Sequence, residues 1–130
     1  MKLVDTLGFA DFYRKVKDKQ MPFKLAYKLS KLAAKVEGEV QFYRDELTKI
    51  INEYSIKDEN GNPQRTEDGE GVKLIPGKEE ECGMKIVELQ NVEIDVGTLL
   101  TIDELNSFSE YNIDDLTPVE IQSIIPFIQE

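Results

Sequence analysis

Between Leu25 and Ile51 the residues Leu25, Leu29, Leu32, Val36, Val40, Tyr43, Leu47, Ile50 and Ile51 recur at spacings of three and four, with one single-residue step at the end. That period places them on one face of an α-helix and on no face of a strand. Pro22 suits the first turn of such a helix, where a missing N–H costs nothing, and Ala26, Ala33 and Ala34 add propensity. The pattern predicts one helix from Pro22 to about Tyr54, roughly 45–50 Å long at 1.5 Å per residue. A single domain of 130 residues does not need that length, so part of the helix is expected to project or to pack against another chain. Gly38, in its middle, is unfavourable by about 1 kcal/mol relative to alanine, and it marks an expected bend or close helix crossing.

Shorter patterns surround this helix. Phe9, Phe12, Tyr13 and Val16 share a face of a predicted helix from Leu7 to Val16. The stretch from Ser55 to Gly71 is rich in turn formers, with Asn60-Gly61 the best hairpin dipeptide in the chain. Val72 to Ile75 is read as a strand. A helix is expected from about Lys78 to Leu89, with Met84, Val87 and Cys82 on its apolar face and Glu79, Glu80 and Glu81 at its positive end. Val92 to Val96 alternates strictly, the pattern of a half-buried strand. Thr101 with Glu104, and Thr117 with Glu120, match the capping box, the second with Pro118 at the first helical position. The last helix presents Ile121, Ile124, Ile125 and Ile128, and Pro126 should distort its final turn. The fold class is α+β, helix-dominant, a single domain with one long helix and a small β-sheet or hairpin. Its halves differ: a basic helical part over 1–54 and an acidic mixed α/β part over 55–130.

The formal charge is −10. It is unevenly spread: residues 1–50 hold eleven Lys/Arg against seven Asp/Glu, residues 51–130 hold five against nineteen, and no Lys or Arg follows Lys85. Such an acidic chain is poorly suited to free nucleic acid or an anionic membrane. The simplest reading is a dipolar molecule whose basic and acidic segments pack near one another. A sharper one makes the acidic C-terminal third a docking face for a basic partner, with Asp103, Glu104, Asp114, Asp115 and Glu120 as its residues. A third pairs basic and acidic faces between copies of the chain.

Catalytic chemistry finds little support. There is no histidine, hence no imidazole base, Cys-His pair or histidine metal ligand. The lone Cys82 allows no internal disulfide, fits a reducing compartment, and is read as a small buried apolar residue. Asp58, Asn60 and Asn62 start a calcium-loop pattern, but Pro63 and Gly69 stand where glycine and glutamate are required. Asp68-Gly69-Glu70-Gly71 lacks the Lys-Ser/Thr of a phosphate loop. Arg14, Lys15, Lys17, Lys24, Lys28 and Lys31 interleave with Tyr13, Phe23 and Tyr27. That arrangement could serve single-stranded nucleic acid, but the expectation is that the aromatics face the core. No apolar run approaches the roughly 20 residues that cross a bilayer, and no signal-peptide segment is visible. No enzyme activity, cofactor or metal is expected.

Three segments resemble a known group. Met21-Pro22-Phe23-Lys24-Leu25-Ala26-Tyr27-Lys28-Leu29-Ser30-Lys31-Leu32, Tyr54 to Asn62 with its Asp58-Glu59-Asn60-Gly61 turn, and the tail from Leu116-Thr117-Pro118-Val119-Glu120 to Ile128 occur in this order. Together they resemble small acidic proteins of tailed phages and prophages of Gram-positive bacteria, over most of the chain from Met21 onward. These motifs are caps and turns, and no catalytic residue transfers with them. The resemblance implies a phage origin and a site of action in the host bacterial cytoplasm. The expected function is a non-enzymatic protein-binding accessory, in one version an inhibitor of a host defence protein acting through its acidic face. The alternative is a small virion or assembly component that self-associates through the Leu25–Ile51 stripe. In the first case, reversing Asp114 and Asp115 to lysine should abolish capture of the partner.

Overall fold

A computed structural model describes residues 1–97, 99–111 and 116–129. The long helix, α2 (Phe23–Tyr54), is the spine against which residues 3–16 and 79–90 pack. A 3₁₀ turn (Leu3–Gly8) runs directly into α1 (Phe9–Val16); α3 (Glu79–Gln90) lies along the second half of α2. Strand β1 (Leu100–Thr101) leads into α4 (Ile102–Asn106) and a 3₁₀ turn (Ser107–Tyr111). Helix α5 (Pro118–Ile124) ends in a 3₁₀ turn (Ile125–Phe127), followed by β2 (Ile128–Gln129). The architecture is α+β, helix-dominant, with one long helix and a two-stranded sheet.

The apolar stripe of α2 is covered by its own chain. Leu25, Leu29, Leu32 and Val36 join Phe9, Phe12, Val16, Val96, Leu100, Phe108, Ile124 and Phe127 in the main core. Four of these rings form a chain of contacts: Phe127 to Phe9 at 4.8 Å, Phe9 to Phe12 at 5.8 Å, and Phe12 to Phe108 at 6.0 Å between centroids. Further along, Tyr43 packs with Leu3 and Leu89, flanked by Leu47 and Ile50. The expected projection of α2 is therefore replaced by intramolecular cover, and self-association through the Leu25–Ile51 stripe would have to displace it. Nor does Gly38 mark a close crossing: a Cβ there meets nothing within 4 Å. The close approach is at Gly8, where a Cβ would stand 2.9 Å from that of Ser123. Glycine lets α1 and α5 touch at that point.

The sheet lies elsewhere than the alternation suggested. Leu100 and Thr101 pair in parallel with Ile128 and Gln129. Val92 to Val96 is not a strand; it makes one antiparallel bridge, Glu93 to Lys2. The N-terminal segment beside it coils into its 3₁₀ turn from Leu3, and the described ladder consists of the Leu3 N–H to Val92 carbonyl bond (2.8 Å) and the Ile94 N–H to Met1 carbonyl bond (2.9 Å). The burial alternation survives, with Ile94 half-buried and Val96 buried. Val72 to Ile75 also falls short of a strand. Instead three short arms close on one another: the Ile56 N–H donates to the Lys73 carbonyl, Lys73 to Gln64 and Gln64 to Ile56, at 2.8–2.9 Å. The Asn60-Gly61 turn closes one end, with Gly61 at φ +81°.

Both capping boxes form, at Thr101/Glu104 and Thr117/Glu120. Pro126 sits in the 3₁₀ turn that ends α5, and Ile128 belongs to β2, not to the helix. Of the four expected isoleucines only Ile124 is fully buried; Ile121 and Ile125 are exposed.

Candidate functional site

The described carboxylates of the expected acidic face fall into two kinds. Glu104 accepts a hydrogen bond from the Lys28 ammonium at 2.6 Å and from the Thr101 N–H at 2.8 Å. Its partial burial would raise the carboxyl pKa, but the Lys28 and Thr101 donors outweigh this and hold it below the usual glutamate value. The two oxygens of Glu120 accept from the Lys15 ammonium at 3.1 and 3.3 Å. Lys15 first, then the Thr117 hydroxyl, lower its pKa as well. These two residues thus bind the acidic C-terminal third to the basic N-terminal helices, as the dipolar reading expects. Asp103 is exposed in the first turn of α4. Asp114 and Asp115 lie outside the described residues.

An acidic surface of a different kind is found on α3. Cys82, half-buried Ile86 and Leu89, at spacings of four and three, face inward. Met84 and Val87, expected on the apolar inner face, turn outward with relative exposures of 67% and 53%. Glu80, Glu81 and Glu88 frame them, with Lys85 alongside. Glu80, Met84 and Glu88 follow one another at intervals of four residues, hence along one line of the helix. Glu80 and Glu88 make no ion pair among the described residues, whereas Glu81 is 3.3 Å from Lys78. Lys85 is 3.7 Å from Glu53 and lies over the Tyr54 ring, and chiefly Glu53 raises its pKa. The signal was present in the sequence as two competing apolar spacings on one helix, 82/86/89 and 84/87.

Two aromatics also depart from expectation. Tyr13 is half-buried and stacks on Phe9, but Phe23 and Tyr27 are 83% and 57% exposed. Their rings stack at 6.1 Å, with the Lys31 ammonium 5.7 Å from the Tyr27 centroid.

The remaining chemistry is structural. Cys82 is buried. Asp58 Oδ1 accepts from the N–H groups of Asn60 and Asn62 at 2.8 and 3.0 Å, which commits it to the turn. Among the described residues no group of three His, Cys, Asp or Glu side chains is placed to hold a metal ion, and no helix is long and apolar enough to cross a membrane. The chain matches no family model, and no curated protein or solved structure is similar to it beyond chance.

Proposed function

We propose that this chain is a non-enzymatic protein-binding accessory that docks a basic partner on the outer face of α3. The observation that carries this reading is the pair Met84 and Val87, exposed inside a frame of glutamates of which two, Glu80 and Glu88, make no ion pair among the described residues. Exposed apolar side chains rimmed by charge are characteristic of interaction sites, and methionine adapts its shape to what covers it. The fitting partner presents apolar residues flanked by Lys or Arg, as a basic amphipathic helix does. The resemblance to small acidic phage proteins supports a host protein as the target, a host defence protein included, with the chain acting in the host cytoplasm. The acidic docking face is thereby moved from Glu104 and Glu120, which hold the fold together, to Glu80 and Glu88.

The test is capture from a lysate of a Gram-positive bacterium, with Glu80→Lys/Glu88→Lys beside the wild type and helicity checked by circular dichroism. The reading expects a basic protein retained by the wild type at low salt and lost from the variant. Equal retention by both removes it.

A second reading rests on the Phe23–Tyr27 stack. The helix from Phe23 to Val36 carries four lysines and no carboxylate, and exposed stacked rings beside lysines suit single-stranded nucleic acid. Two cations counted toward that reading, Lys15 and Lys28, are engaged by Glu120 and Glu104. Salt-dependent binding of an oligothymidine that Phe23→Ala/Tyr27→Ala abolishes would support it; no binding at low salt ends it.

A further inference from the structure

A second surface complements the α3 face. Between α1 and α2 runs an open groove of about 330 Å³ whose floor includes Phe9, Tyr13, Val36 and Val40. Arg14, Lys17 and Arg44 border it, with Glu37 the one acidic side chain among the described residues. Lys17 and Arg44 make no ion pair among the described residues, and Arg14 has only an exposed contact with Asp11 at 3.3 Å. The groove therefore carries three cations and one anion, a net +2. The α3 face carries three anions and one cation, a net −2. Each is an apolar strip bordered by charge, the signs are opposite, and the two share no residue.

We infer that the groove between α1 and α2 receives the α3 face of a second copy of this chain, head to tail. Met84 and Val87 enter the groove over Tyr13 and Val40, while Glu80 and Glu88 meet Lys17 and Arg44. The charge match selects this occupant: the groove needs an apolar, acidic-edged element, and α3 is one present at the same concentration as the groove itself. Such a contact is heterologous, so repetition gives a closed ring or an open filament. It goes beyond the capture of a basic partner, with which it competes for α3.

The experiment is mass by light scattering with in-line chromatography. The mass of the wild type should rise above the monomer's 14.9 kDa between roughly 10 µM and 1 mM protein, and fall back when salt is raised to about 0.5 M. Lys17→Glu/Arg44→Glu should weaken association at least about tenfold, and so should Glu80→Lys/Glu88→Lys, since like charges then face each other. Mixing the two variants should restore it, because the reversed groove of one accepts the reversed helix of the other. Their mixture reports association even if each variant alone is monomeric. A wild type that remains at the monomer mass throughout overturns the inference, as does a mixture that stays monomeric while both variants keep native helicity. Lys17→Glu/Arg44→Glu leaves α3 intact, so it should lose self-association yet still capture a basic protein; a wild type that captures a basic protein but stays monomeric rejects only the second-copy contact.

Discussion

The Lys28 ammonium lies 2.6 Å from Oε1 of Glu104, and that same oxygen accepts the N–H of Thr101, the N-cap of α4. One carboxylate thus starts a helix and fastens it to α2. Both side chains are mostly buried, at 20% and 26% exposure, so solvent screens the pair less than it does a surface ion pair.

Glu104→Gln should lower stability by about 1–2 kcal/mol at neutral pH, the range for a hydrogen bond to a charged partner after discounting for partial exposure. The sign of the pH effect follows from the lowered carboxyl pKa. The folded state favours the ionised form, so the contribution is present above the ordinary value of 4.5 and is lost as pH falls through the lower folded value. Urea unfolding of both proteins across this range should show the gap closing toward acid. A gap that stays constant with pH would assign the loss to packing.

Gly8→Ala should destabilise by about 1–3 kcal/mol through overpacking, because its Cβ would stand 2.9 Å from that of Ser123. Adding Ser123→Gly removes the clashing atom, and the double variant should be more stable than Gly8→Ala alone. A double-mutant cycle by thermal unfolding checks it; simple additivity would place the clash elsewhere.

Gly38→Ala should have the opposite sign. It sits within α2 with nothing within 4 Å of a built Cβ, so alanine gains about 0.5–1 kcal/mol of helix propensity without a clash. A raised midpoint of thermal unfolding is expected; a lowered one would restore the close crossing that the sequence suggested.

How far the sequence reveals this fold depends on the range of the interactions. The 3–4 spacing from Leu25 to Ile51 identifies α2, and the Thr101/Glu104 and Thr117/Glu120 boxes identify two helix starts, because those signals are local. Val92 to Val96 has a strand's alternation but, among the described residues, pairs only at Glu93 with Lys2. The pairing of Leu100–Thr101 with Ile128–Gln129 joins residues 28 apart, beyond the reach of any local pattern. Charge was legible as a total and as a dipole, but not as pairs: Glu104 and Glu120 lie in the acidic third, and which lysines of the basic half meet them, Lys28 and Lys15, depends on long-range packing. Met84 and Val87 look like core residues until Cys82, Ile86 and Leu89 are seen to occupy the inner face.

The acidic docking face proposed for this chain is α3. The most direct measurement is calorimetric titration of a synthetic Leu/Lys amphipathic helix into the wild type, Glu80→Lys/Glu88→Lys and Asp114→Lys/Asp115→Lys, with a scrambled Leu/Lys peptide as control. The amphipathic peptide alone should bind, with affinity weakened at least about tenfold by the α3 reversal and little changed by reversal of the two aspartates. Binding that survives the α3 reversal and is lost with Asp114 and Asp115 would contradict this placement.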